Sequence, residues 1–158
     1  GVKGRCEIIP TGKDYTVICD YAHSPDGIKN ILSSLKPFAK NRLVCLFGCG
    51  GDRDKTKRPL MAKAAAEYAD KLIITSDNPR NEKQLDITKD ITSEMDFCEK
   101  VILSIPDRKE AIKRAIRDGR KGDIIVIAGK GHETYQIIGN ETKHFDDKEV
   151  VLCCGKEK

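Results

Sequence analysis

Leu43-Val44-Cys45-Leu46-Phe47-Gly48-Cys49-Gly50-Gly51-Asp52-Arg53-Asp54 is the stretch on which the reading of this chain turns. Five apolar residues without a break predict a strand buried on both faces, because a half-exposed strand would alternate. The run then gives way at once to glycines and charges, so a strand feeds a polar loop. The same pattern repeats outward in both directions. Upstream, Thr16 to Asp20 reads as a strand, and Ile28, Ile31, Leu32 and Leu35 follow at helical spacing. Downstream, Pro59 suits the first turn of a helix running through Ala62 to Ala66. Leu72 to Thr75 is a third strand, and Ile87 and Ile91 predict a helix after Gln84. Val101 to Ile105 is a fourth strand, Asp107 caps a helix carrying Ala111, Ile112, Ala115 and Ile116, and Ile124 to Ala128 is a fifth. Strands alternating with amphipathic helices predict an α/β fold, a doubly wound and mostly parallel sheet with helices on both faces. Tyr135 to Ile138 and Thr142 to Phe145, joined through Gly139-Asn140, predict a late hairpin. Gly155 to Lys158 is expected to fray.

Length and composition limit what this fold can do. A chain of 158 residues is read as one domain over 1–158, large enough to bury a core without staples. Its net charge of +4 is spread among acidic residues rather than gathered into a stripe, which argues against nucleic acid as a partner. No apolar stretch reaches membrane-spanning length, and Val2-Lys3-Gly4-Arg5 is no signal peptide, so the expected compartment is the cytoplasm, with no membrane partner. The seven cysteines are odd in number and include no CxxC pair, which favours reduced thiols; Cys19, Cys45 and Cys98 lie in or beside apolar runs and read as small hydrophobes. A redox or metal role would need a thiol of lowered pKa or bound zinc.

Ligands of open α/β sheets bind beyond the carboxyl ends of the strands. Four such ends carry polar or glycine-rich sequence: Asp20 to Asp26, Gly48 to Lys55, Asp77-Asn78-Pro79-Arg80, and Gly129-Lys130-Gly131-His132-Glu133. Their convergence on one edge predicts a site. Glycines from Gly48 on let backbone N–H groups approach a ligand, although neither the dinucleotide fingerprint nor a GxxxxGK[ST] loop occurs. In Asp77-Asn78-Pro79-Arg80, the guanidinium offers a planar fork to a carboxylate and the acid and amide suit an ammonium, as a zwitterion requires. Alone, the tetrapeptide is equally a turn with an exposed Arg. His23, His132 and His144 show no paired helical spacing that would make a metal centre, and Tyr15 and Tyr135 read as packing residues.

Taken in order, Gly4-Arg5-Cys6-Glu7, Asp20-Tyr21-Ala22-His23-Ser24-Pro25-Asp26, Phe47 to Asp54, Asp77-Asn78-Pro79-Arg80 and Ala128 to Glu133 resemble the C-terminal domain of Mur ligases, in the branch that adds the third residue to UDP-N-acetylmuramoyl-L-Ala-D-Glu. The resemblance runs from Arg5 to about Val150. It implies a Rossmann-like sheet of about six strands, and two further domains absent from this sequence: an N-terminal UDP-sugar domain and a central ATPase. It implies peptidoglycan precursor synthesis, with ATP and Mg2+ forming an acyl phosphate on the D-Glu γ-carboxylate that an incoming amine attacks. The Mg2+ ligands and catalytic residues would lie in the missing central domain, leaving this fragment inactive alone. Arg5 would reach the ATP phosphates, Asp20 the ribose, with Tyr21 and His23 along the same edge. Arg53 and Arg80 would bind carboxylates of meso-diaminopimelate. Asp77, Asn78, the Gly129 backbone and Glu133 would hold its distal head group. Cys6 and Ser24 depart from the larger apolar residue and the Thr frequent there, and the final helix is expected to be short.

Two other readings stay open. A lysine-adding Mur ligase or a folylpolyglutamate synthase shares the ligation chemistry but is not expected to carry both the Asp77 tetrapeptide and the Gly129 loop. A module that binds amino acids or nucleotides without catalysis belongs to another class; a Gly-Lys-Thr/Ser loop upstream would decide for the ligase.

Overall fold

The computed structural model describes residues 4–96 and 101–156, so Cys98 lies outside the described residues. A six-stranded sheet runs in the order β1 (Glu7–Ile9), β2 (Thr16–Asp20), β6 (Ile124–Ala128), β3 (Leu43–Phe47), β4 (Lys71–Ile74), β5 (Val101–Ser104). Only β1 is antiparallel. The expected doubly wound, Rossmann-like α/β sheet is therefore present, and its sixth strand is the short edge strand β1, not part of the late hairpin. That hairpin, β7 (Tyr135–Ile138) and β8 (Glu141–His144), forms a separate two-stranded sheet beginning its second strand one residue earlier than expected.

Pleating explains the two layers. Leu43, Cys45 and Phe47 point to one face with Ile18, Leu72, Ile74 and Val126, under α1 (Pro25–Leu35), α2 (Lys57–Tyr68) and α3 (Gln84–Thr92). Val44 and Leu46 point to the other with Val17, Ile73, Ile125 and Ile127, under α4 (Arg108–Arg117) and α5 (Asp147–Gly155). Every residue of β3, β4 and β6 is buried, as unbroken apolar runs require. Burial of this apolar area is the main stabilising term, at about 25 cal/mol per Å².

Helix ends follow local chemistry. Ser24 Oγ accepts from Gly27 N–H at 3.0 Å, with Pro25 at the first helical position; Asp107 caps α4 through Glu110 N–H at 3.1 Å. Gly155, expected to fray, instead lies within α5, and Lys156 N–H bonds Cys153 O. The final helix thus occupies the stretch where a shortened one was expected.

The site follows from the winding. The chain runs β2 to β5 with its crossover helices on one face, then crosses the opposite face through α4 and inserts β6 between β2 and β3. Loops leaving β2, β3, β4 and β6 diverge at that reversal, which opens a crevice. Among the described residues no helix is long and apolar enough to cross a membrane.

Candidate amino-acid and nucleotide site

One cleft of about 270 Å³ occupies this crevice, near the lower end of about 300–1,000 Å³ typical of small-molecule sites. All six residues read as amino-acid-binding, Arg53, Asp77, Asn78, Arg80, Gly129 and Glu133, line it. Lys57, from the first turn of α2, joins them and was not singled out from sequence; only its position after the Gly48 loop could have suggested it. The lining therefore mixes the cations Arg53, Lys57 and Arg80 with the carboxylates Asp77 and Glu133, which suits a ligand carrying both charges.

The nucleotide set divides. Tyr21 and His23 line the same cleft, whereas Arg5 and Asp20 line a second groove along α1, with Gly27, Asn30 and Ser34. Tyr21 contacts both sets: the Arg5 guanidinium lies 5.5 Å from its ring centroid, and the His23 ring meets it edge-on at 4.7 Å. Both Asp20 oxygens are engaged, Oδ1 by Cys6 N–H at 2.7 Å and Oδ2 by Ala22 N–H at 2.8 Å. Asp20 thus staples the segment before β1 to the loop after β2, and any ribose hydroxyl would use its remaining lone pairs.

Two loops lock together across the cleft floor. Gly51 N–H donates to Asn78 O at 2.8 Å and Arg80 Nη1 to Gly51 O at 3.0 Å. Gly51 lies so close to Pro79 that a Cβ there would collide with the Pro79 carbonyl. From below, the buried Arg58 donates to Gly50 O at 3.0 Å and pairs with Glu82 at 2.7 Å and Asp90 at 2.8 Å. Arg80 sits at φ 52°, a left-handed conformation unusual for a non-glycine residue. The hairpin holds it there: Arg80 N–H donates to Ile137 O at 3.1 Å, and Gly139 N–H to Arg80 O at 2.6 Å. The tetrapeptide is accordingly a braced turn whose Arg is half-buried, not an exposed one.

No role was assigned from sequence to three cations that are almost wholly buried, Arg58, Arg108 and Lys130. Lys130 and Arg58 touch cleft loops directly. Arg108 forms a two-pronged pair with Asp147, both contacts 2.8 Å, and donates to Ser76 O at 3.1 Å and Ala128 O at 3.3 Å. Ser76 and Ala128 immediately precede the Asp77 and Gly129 loops, so Arg108 ties their roots together. Burial alone would weaken its hold on the proton, but Asp147 outweighs that and raises its pKa above the usual arginine value. Tyr135, expected to pack, is 37% exposed; its hydroxyl donates to Glu133 at 3.1 Å and its ring faces Lys130. Tyr15 does pack, with its hydroxyl on Ile116 O at 2.8 Å.

A reactive thiol would need a lowered pKa. Burial instead pushes Cys45 and Cys49 up to about 12, and raises Cys19 as well.

Fold and cleft together define a class: a doubly wound α/β domain whose strand-end loops line a cleft with both positive and negative side chains, beside a second groove. A model of the family described as "Mur ligase, glutamate ligase domain" matches residues 4–131, and the chain belongs to that family. It is 55% identical over 151 residues to the UDP-N-acetylmuramoyl-L-alanyl-D-glutamate–2,6-diaminopimelate ligase of Bacillus cereus, covering 96% of this chain and 30% of that enzyme. It is 53% identical over 152 residues to the ligase of the same name from Clostridium perfringens, covering 95% and 31%. A solved structure of a ligase of that name superposes with a TM-score of 0.93 at 44% identity, over 98% of this chain and 31% of that one. The chain thus spans about a third of the length of the relatives it matches.

Proposed function

We propose that this domain binds meso-diaminopimelate as the amine donor of an ATP-dependent ligase that extends UDP-N-acetylmuramoyl-L-Ala-D-Glu in peptidoglycan synthesis. One observation carries the reading: Arg53, Arg80, Asp77, Asn78, Gly129 and Glu133 line a single cleft. Diaminopimelate has two amino-acid ends, and lysine only one. Arg53 and Arg80 neutralise carboxylates, and Asp77 and Glu133 receive an ammonium. A cleft built for a carboxylate disfavours lysine because its Arg would be left without a partner.

In this reaction class ATP converts the D-Glu γ-carboxylate to an acyl phosphate. The free amine adds to the acyl carbon, and the tetrahedral intermediate expels phosphate. This domain's share is positioning: it fixes the donor so that one amine faces the activated carbonyl, worth several kcal/mol of barrier in such reactions. Arg5 and Asp20 supply the edge of the nucleotide groove, the guanidinium for phosphate and the carboxylate for ribose hydroxyls. Mg2+ would screen the ATP phosphates when bound. Among the described residues no group of three His, Cys, Asp or Glu side chains is placed to hold a metal ion, and no step here runs through one. The chain carries no GxxxxGK[ST] loop, so the domain alone is expected to be inactive.

The test is an NMR titration of the domain with meso-diaminopimelate, with L-lysine as comparator and Arg80→Ala as control. Shifts around Arg53, Asn78, Arg80 and Glu133 for diaminopimelate alone, and an affinity reduced about 10- to 100-fold in Arg80→Ala, are expected, since hydrogen bonds to charged groups contribute about 1.5–3 kcal/mol. Equal binding of lysine would reject the substrate assignment.

A further inference from the structure

Lys130 is wholly buried, yet none of the binding roles above uses it. An ammonium taken out of water needs compensation on every side. Its Nζ donates to Tyr135 O at 2.9 Å and to Asn78 Oδ1 at 3.0 Å. Asp77 Oδ1 lies 3.1 Å away, an ion pair outside hydrogen-bond alignment, and that buried oxygen accepts no hydrogen bond. Glu133 Oε1 stands at 4.0 Å. One ammonium therefore contacts three side chains of the cleft lining.

Its effect on Asn78 has only one geometric solution. The amide atom facing Lys130 also faces the Ile137 N–H at 2.9 Å. Lysine Nζ and a backbone N–H can only donate, so that atom is the oxygen, whichever way an amide is drawn. Turning the amide over would set its NH2 against an ammonium. The other end, Nδ2, makes no hydrogen bond among the described residues and is not among the buried orphan atoms, Arg58 Nε, Asp77 Oδ1 and Gln84 Oε1. Since Asn78 lines the cleft, Nδ2 opens onto it.

We propose that Lys130 is a positioning residue that sets the polarity of the distal subsite: it fixes Asn78 as a donor, beside Arg80, towards a carboxylate, and offsets part of the Asp77 charge that would otherwise attract a bare ammonium. The proposal rests on the diaminopimelate reading above. It makes discrimination against lysine a property of a buried residue that never touches substrate.

The test is a double-mutant cycle in the full-length ligase, with Lys130→Met, Asn78→Ala and the double variant assayed on meso-diaminopimelate and L-lysine. Each single change is expected to lower kcat/KM for diaminopimelate about 100-fold, mostly through KM, and the double variant to lose little more than either one. The ratio of diaminopimelate to lysine use should fall with them. Additive losses, or equal losses on both amines carried by kcat, would overturn the proposal. Asn78→Asp guards against a misfolded Lys130→Met: it keeps the oxygen for Lys130 and Ile137 but lacks the Nδ2 donor, so a thermal midpoint near wild type with diaminopimelate use lost is expected, and unchanged use would overturn it. A ligand-free readout separates this idea from the reading beneath it. The Asn78 side-chain amide should give one sharp, well-dispersed proton pair in this chain, broadened in Lys130→Met. If wild type uses neither amine but that pair behaves as stated, the substrate assignment fails and the orientation stands; if the pair ignores Lys130, the inference fails.

Discussion

Replacing Arg108 with Met leaves Asp147 charged, buried and alone, and removes the donors that reach Ser76 O and Ala128 O. Both partners of the pair are fully enclosed, so solvent cannot take over. Breaking such a pair from one side costs about 3–5 kcal/mol. That is a large part of the roughly 5–15 kcal/mol by which domains are stable. With a urea m-value of about 2 kcal/mol/M, the midpoint should fall by roughly 1.5–2.5 M with the slope unchanged. The double change Arg108→Met with Asp147→Leu removes both charges, and only the two carbonyls lose partners. Its cost should return to about 1–3 kcal/mol, roughly 2 kcal/mol less than that of Arg108→Met alone. Urea titration followed by far-UV circular dichroism at pH 7 measures both numbers. A single-variant cost below about 1 kcal/mol, or a double variant at least as destabilised as the single one, would refute the reasoning that this pair is desolvated and tied to the loop roots. Because those roots lead into Asp77 and Gly129, diaminopimelate affinity should fall in the single variant as well.

Asp123 makes an acid-range prediction. Burial would raise its carboxyl, but Arg42 at 2.6 Å and the N–H groups of Arg42 and Arg120 outweigh this and hold its pKa below the usual value. A folded pKa below the unfolded one, about 3.9, adds stability above that pH and loses it as pH falls through the folded value. Asp123→Asn should therefore destabilise at pH 7 by about 3 kcal/mol and flatten the loss of stability below about pH 4, as thermal melts across pH 2–7 would show. Gly51→Ala drives a methyl into the Pro79 carbonyl and should cost about 1–3 kcal/mol while displacing Arg80, seen as a lower melting temperature together with weaker diaminopimelate binding.

Sequence made the inner strands legible because Leu43 to Phe47, Leu72 to Ile74 and Ile124 to Ala128 are buried on both sides and carry no polar interruption. It left β1 hidden: three residues at an edge, with Ile8 facing solvent at 65% exposure, leave no pattern to find. Convergence of the strand-end loops was readable as the general habit of such sheets. The order that places β6 between β2 and β3 was not, since nothing local in Ile124 to Ala128 names its neighbours. Asn78 shows the limit most sharply. Its presence in the cleft was expected, but the partners of its oxygen, Lys130 and Ile137, lie far along the chain, and only the fold brings them together. Arg58, Arg108 and Lys130 look like ordinary surface charges in sequence because burial depends on carboxylates and carbonyls from other elements.

The insertion of β6 has a consequence for the order of events during synthesis. Until Ile124 to Ala128 emerges, β2 and β3 have no strand between them, and each presents an unsatisfied inner edge. At about 5–20 residues per second, the roughly 80 residues made after β3 occupy on the order of 4–16 seconds. Through that interval the nascent chain carries two apolar strand edges open to other chains, a known route to aggregation. The last parallel strand to be synthesised is thus a wedge that closes the sheet in a single step, and a stall shortly before residue 124 would strand the domain in its most association-prone form.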